Sequence, residues 1–261
     1  MRNCFWVKKL LTLQCFKPSL TSPHFPLKDR CRDKDLAVIS YGRENYKVGQ
    51  ANFRKGFHLE NVQVFNKNES DKVWEYVKDC SSERLVALTW GFKVHYTFQK
   101  ETGIQYGMRG QEIVFPQGFL KGFFMESDYL VFEKGIKDKG FKLMRTQLTV
   151  LNLFYSIMKE KNVCENDLIC VIDQGFFTGF RRNVGKLRRF SITSVLDQDF
   201  KEDFEDFLDD NFSGKVIFLE TQNSSFKEKF FNFLKTYQSI TPFESSSTQV
   251  VHPELELLAY E

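Results

Sequence analysis

The chain has 261 residues, 42% of them hydrophobic and 27% charged, which is enough for one large or two small domains with real cores and typical of a globular protein. A net charge of +3 does not by itself call for a nucleic-acid partner. Six cysteines without a C-x-x-C pair and four scattered histidines fit neither a zinc site nor a disulfide framework, and no run of 18 apolar residues marks a membrane-spanning helix.

Residues 1–28 contain no Asp or Glu, and "MRNCFWVKKLLTLQCFKPS" is apolar but interrupted by Lys8 and Lys9. It lacks a small-residue cleavage site, so it is a poor secretory signal. Three readings stay open: a frayed leader, an organelle transit peptide, or an amphipathic segment over 1–16, with Trp6, Leu10 and Leu11, in peripheral contact with a membrane or a partner. Pro18, Pro23 and Pro26 give 17–35 the composition of a linker. Residues 1–35 are thus expected to be leader and linker, with ordered structure from Leu36.

"LAVISYG" (36–42), "ENYKVGQANF" (44–53) and "FHLENVQVF" (57–65) read as three strands of a meander. "DKVWEYVKDC" (71–80) places Val73, Trp74 and Val77 on one face of a short helix with Ser70 as N-cap. "RLVALTWG" (84–91) and "KVHYTFQK" (93–100) read as strands on either side of Gly91. Residues 101–122 hold five glycines and little periodicity, which predicts a long loop or irregular insertion. "ESDYLVFEKGIKDKG" (126–140) predicts a helix capped by Ser127, and "TQLTVLNLFYSIMKEK" (146–161) predicts the most regular helix.

"DLICVID" (167–173) reads as a buried strand, followed by strands in "FTGFRRNV" (177–184) and "KLRRFSIT" (186–193). "DFKEDFEDFLDD" (199–210) is amphipathic, with Phe200, Phe204, Phe207 and Leu208 on one side. "KVIFLET" (215–221) is a further buried strand, "SSFKEKFFNFLKTY" (224–237) a helix, and "HPELELLAYE" (252–261) the start of another with Pro253 in its first turn. The basic run "RRNVGKLRR" supplies Arg181, Arg182, Lys186, Arg188 and Arg189. It reads either as a patch for an acidic partner or as the counterweight of the acidic 199–210 helix, and the second is favoured.

Two segments repeat one pattern. "LAVISYGRENYKVGQANFRKGFHLENV" and "DLICVIDQGFFTGFRRNVGKLRRFSIT" each give a buried strand, x-x-Gly, a turn and two more strands. Each is followed by helix, strand and helix. The expected architecture is α/β: two β-β-β-α-β-α halves, 36–146 with a Gly-rich insertion near 101–125, and 147–261.

On these segments the chain resembles the actin-like ATPase superfamily, with its ribonuclease H-like fold. Within it the look is closest to the PilM, MshI and GspL type of pilus and secretion assembly protein. The resemblance implies that D-x-G turns in the first hairpin of each half would clamp ATP and Mg²⁺. Asp173, Gly175 and Thr178 match D-x-G-x-x-T; Asp173 would hold a hydrated Mg²⁺ and Thr178 a phosphate. Phe176 and Phe177 stand where the family has small residues and are expected to crowd a phosphate. In the other half Ser40 replaces the expected aspartate, while Gly42 is kept and Lys47 matches a basic position. "ETQNSS" (220–225) lacks the glycines of an adenosine turn.

The resemblance therefore implies a cytoplasmic scaffold with a degenerate nucleotide cleft and no obligate cofactor. Its partner would be the cytoplasmic segment of a PilN-like inner-membrane protein, taken up by the 101–125 region with Tyr106, Phe115, Phe119, Phe123 and Phe124. A small ATPase or kinase using Asp173 and Thr178 is the alternative, and an unrelated α/β protein with an accidental repeat is a third reading.

Overall fold

The structure is a computed structural model. It describes residues 31, 34–43, 45–53, 58–91, 93–97, 107–115, 118–159, 167–173, 176–183, 186–192, 204, 205, 208, 214–220, 232–235, 242–244, 252, 254, 255 and 258. The leader over 1–30 and most of 199–210, 224–237 and 252–261 lie outside them.

The opening meander is β1 (Leu36–Tyr41), β2 (Asn45–Asn52) and β3 (His58–Asn66). Helix α1 (Ser70–Cys80) follows and buries Val73, Trp74, Val77 and Cys80, the i, i+1, i+4, i+7 set of one helical face. Ser70 is its first helical residue rather than its cap. The Asn66 N–H donates to Glu69 Oε2 at 3.0 Å across the 3-10 turn Lys67–Glu69 that leads into the helix. Next come β4 (Leu85–Trp90), the short β5 (His95–Thr97), β6 (Met108–Phe115), β7 (Gly118–Met125), α2 (Glu126–Asp138), β8 (Lys142–Leu148) and α3 (Thr149–Lys159). The N-cap of α2 is Met125, without a side-chain cap, and Ser127 lies inside the first turn. Glu126 there pairs with Arg109 at 2.8 Å.

The remaining strands are β9 (Leu168–Asp173), β10 (Phe176–Asn183), β11 (Lys186–Ile192), β12 (Val216–Glu220) and β13 (Pro242–Glu244). The two large sheets have the same order, β3-β2-β1-β4-β8 and β11-β10-β9-β12-β13. In each the first three strands are antiparallel neighbours and the last two run parallel to the first. Residues 204, 205 and 208 are helical between β11 and β12, and 232–234 between β12 and β13.

Two helical segments pack on the sheet to which they do not belong in sequence. Helix α3 packs its Phe154 ring on Phe180 of the second sheet, at 4.5 Å, in one core with Ile169 and Val171. The helical residues Leu255 and Leu258 lie in the core formed by Leu36, Val38, Leu85 and Ala87 of the first sheet. Cys31 is buried in that same core, so packing reaches back into the expected linker.

Three strands differ from expectation for physical reasons. Within the 101–122 region, expected as an irregular loop, the described residues 108–115 and 118–122 are strands: β6 and β7 form a hairpin, and β5 joins β7 to complete a three-stranded sheet. Its glycines hide the alternation because close neighbours need the space. The Phe123 ring lies over Gly110, and a Cβ on Gly122 would sit 2.5 Å from Leu148 Cδ1. Residues 146–148, expected in the helix, instead end strand β8, which passes into α3 with no Gly or Pro between them.

This packing predicts opposite outcomes for two glycines. Gly122→Ala forces Leu148 and Leu151 to shift and is expected to lower unfolding free energy by about 1–3 kcal/mol. Gly135→Ala, inside α2 with open space around its Cβ position, is expected to raise it by about 0.5–1 kcal/mol. Urea titrations of the two variants check both signs.

Candidate functional site

In open α/β sheets, ligands gather at the carboxyl ends of the parallel strands. At that end of the first sheet, register aligns four polar residues: Lys47 opposite Ser40, Ser40 beside Thr89, and Thr89 beside Gln147. Laterally paired residues share a sheet face, and all four side chains are buried. Sequence reading found Ser40 and Lys47 but missed Thr89 and Gln147. The signal was available in "LVALTW" and "RTQL", where a polar residue interrupts a run headed for the core.

Lys47 is 2% exposed, and its Nζ lies 2.7 Å from Glu254 Oε1, itself 0% exposed. The expected basic position is therefore occupied by a carboxylate of this same chain. His252 is close enough to feel the pair: burial first, then the Lys47 charge, holds its imidazole below the ordinary value. The N–H of Gly42 donates to the Asn45 carbonyl at 3.2 Å, so this donor is spent within the turn instead of pointing outward.

A second lysine covers the opposite face of the same hairpin. Lys67 Nζ lies 3.2 Å from the Tyr41 ring centroid and 4.2 Å from that of Tyr46. Tyr41 stacks on Trp90 at 4.4 Å and meets Phe132 edge-on at 4.4 Å. The rings attract the ammonium through their π faces, yet burial lowers the Lys67 amine to about 7. Burial raises the Tyr41 phenol to about 12, so at neutral pH the cage offers neutral rings and no phenolate.

The second hairpin differs. Asp173 ends β9 and is the register partner of Phe176, the position that Lys47 holds opposite Ser40. Gly175 lies outside the described residues. Thr178 is 2% exposed, between Val171 and Ser191 in register. Phe177 does not crowd the turn as expected. Strand alternation turns it to the other face, where it is fully buried and meets Phe204 at 6.2 Å. Arg181, expected in a surface basic patch, is also buried and donates from Nη1 to the Leu208 carbonyl, tying the strand to the helical residues beyond it.

Of the residues expected to meet a partner, Phe115 ends β6, Phe119 and Phe123 lie on β7, and Tyr106 lies outside the described residues. Phe123 is half-buried, whereas Phe124 is buried against Trp90 and Tyr129. Among the described residues no helix is long and apolar enough to cross a membrane.

No protein-family model and no curated protein matches the sequence. Solved structures do match. A Bacteroides thetaiotaomicron protein with an actin-like ATPase fold and unknown function aligns with a TM-score of 0.58 at 12% identity, over 91% of this chain and 100% of that one. PilM in the PilM–PilN type IV pilus biogenesis complex aligns with a TM-score of 0.52 at 9% identity, over 85% and 96%. The cytoplasmic domain of EpsL, an inner-membrane component of the Vibrio cholerae type II secretion system, aligns with 0.47 at 5%, over 78% and 96%. The chain has the actin-like ATPase fold.

The two lysines give separate predictions. Glu254→Gln or Lys47→Met alone strands a buried charge or its partner and is expected to cost about 3–5 kcal/mol in chemical denaturation, most of which the double change Lys47→Met/Glu254→Leu recovers. For Lys67 the unfolded amine holds its proton up to its ordinary 10.5, while the folded one loses it near 7. The unfolded chain therefore binds more protons between those values, so stability rises with pH from about 7 until tyrosine ionisation opposes it near 10. Lys67→Met is expected to flatten that rise; a slope unchanged by the substitution excludes this origin.

Proposed function

We propose that this chain is a non-catalytic scaffold of actin-like fold, built from two duplicated β-β-β-α-β-α halves, whose nucleotide cleft is degenerate. The observation that carries this reading is the buried Lys47–Glu254 pair. A phosphate approaching the first turn would meet a lysine already neutralised, no carboxylate at Ser40 to anchor a metal, and a Gly42 N–H already donated to Asn45. Asp173, Gly175 and Thr178 keep the pattern of a phosphate turn in the second hairpin only. Its function is then binding: a cytoplasmic platform in a pilus- or secretion-type assembly that takes up the cytoplasmic segment of an inner-membrane protein. The fold it shares with PilM supports this, and the three-stranded sheet supplies the surface. Strand β6 lies at the edge of that sheet, where an extended segment would add by backbone hydrogen bonding beside Phe115, Phe119 and Phe123.

The second reading is a small ATPase or kinase in which Asp173 holds Mg²⁺ and Thr178 a phosphate. Calorimetric titration with ATP and Mg²⁺ separates the two. The scaffold reading expects no heat at millimolar nucleotide; micromolar binding that Asp173→Ala abolishes overturns it in favour of the enzyme. A photo-crosslinking residue at Phe123 is expected to capture an integral membrane protein in cells, and capture of soluble proteins alone counts against the platform.

A further inference from the structure

Helices α1 and α2 are neighbours. Trp74 of α1 meets Phe132 of α2 at 5.7 Å, and Asp71 Oδ1 lies 3.9 Å from the Nζ of Lys139, the residue after α2. Each helix buries one stripe, which on α2 holds Tyr129 and Ile136. Their outer faces differ. That of α1 is charged: its exposed residues are Asp71, Lys72, Glu75, Lys78 and Asp79. That of α2 carries Leu130, 43% exposed, and Val131, 76% exposed. At about 100° per residue, Ser127, Leu130, Val131 and Lys134 share one arc opposite Tyr129 and Ile136. A single exposed apolar side chain needs no explanation, but two together at the middle of a helix form a patch.

The charges of α2 are sorted along its axis. Glu126 and Asp128 stand in its first turn. Lys134 and Lys137 stand in its second half, and Lys139 follows directly. Glu133 departs from this order but is held by Lys137 at 3.0 Å, and Asp138 departs from it at the last position. Asp128 and Lys134 form no ion pair among the described residues. Acids first and bases last suit the helix's own dipole. With an apolar pair between them, they also make the face complementary to itself. A copy turned end for end sets acidic start against basic end and apolar pair against apolar pair, whereas a parallel copy sets like on like. About a two-fold axis at Val131, Asp128 and Lys134 each lie three positions from the centre, about 4.5 Å along the helix, so each lysine meets the aspartate of the other copy.

We propose that the outer face of α2 is a self-docking surface, on which two copies of this chain pack antiparallel about Leu130 and Val131, with Lys134 of each paired to Asp128 of the other. Such a contact closes on itself and gives a dimer, not a filament. A helix of 13 residues is about 20 Å long and about 10 Å wide. One face of it covers less than the roughly 800 Å² per partner of a standard interface, so the dimer is weak and concentration-dependent. The inference goes beyond the scaffold reading and does not rest on it, because it uses neither the hairpin turns nor the free edge of β6.

Sedimentation velocity of the full chain over a concentration series up to about 1 mM tests it, with dimerisation expected at a Kd on the order of 10–100 μM. Val131→Asp is expected to weaken the dimer at least about tenfold. Lys134→Glu and Asp128→Lys are each expected to weaken it about threefold to tenfold, and the double variant to recover most of that loss. Monomer at every concentration overturns the proposal, and a monomer that binds phosphatidylglycerol vesicles through Val131 overturns it in favour of a lipid surface. A dimer indifferent to Val131→Asp overturns it because another face then pairs. Failure of the double variant to recover overturns the antiparallel pairing and the proposal with it. Should a charge variant not fold, cysteine crosslinking decides. Val131→Cys is expected to form a disulfide between copies under mild oxidation and Glu75→Cys, on the outer face of α1, is not; equal yields overturn the proposal.

Discussion

The ion pair between Lys47 and Glu254 joins residues 207 positions apart, with both side chains removed from water. Taking each ion out of water costs several kcal/mol, and only close geometry recovers it. Such a pair adds little net stability and much positional definition. The helical residues Leu255 and Leu258 can slide on an apolar sheet face at modest cost, but Glu254 has one place to go. A second contact, from Arg145 Nη1 to the Leu258 carbonyl at 3.4 Å, points the same way.

That fixed docking is one half of a reciprocal arrangement. Helix α3 follows the last strand of the first sheet but lies on the second, where Phe154 meets Phe180. Residues 254, 255 and 258 follow the second sheet but lie on the first. Each sheet thus takes part of its core from chain that follows the other sheet. The small β5-β7-β6 sheet leans on the same junction, since Leu148, Leu151 and Tyr96 fill the space above Gly122. The proposed partner surface and the β8–α3 junction are thereby in direct mechanical contact.

The abundance of aromatic residues has a related explanation. Tyr41, Trp90, Phe132, Tyr129 and Phe124 form a continuous set of ring contacts behind the first hairpin. This cluster backs the Lys67 cage and keeps Tyr41 and Tyr46 in place. The first turn is therefore held from both faces, by an ion pair on one side and by ring packing on the other. Both interactions engage groups that a charged ligand would otherwise meet.

The sequence by itself determined the parts governed by short-range periodicity. Strands β1 to β4 and β9 to β12, helix α1 and the repeat behind the two matching sheets are legible because alternation and helical spacing record which side of an element is buried. Asp173 and Gly42 are legible as turn residues for the same local reason. The tertiary structure decided what depends on distant chain. Strands β6 and β7 read as a loop because Gly110 and Gly122 are small for the sake of neighbours as distant in sequence as Leu148 and Leu151. Lys47 reads as a free basic residue because its counter-ion arrives from the far end of the chain. Thr89 and Gln147 pass as ordinary polar residues until register sets them in one buried row with Ser40 and Lys47. A side chain's type is written locally, but its desolvation and its charge partner are set only when remote elements close over it.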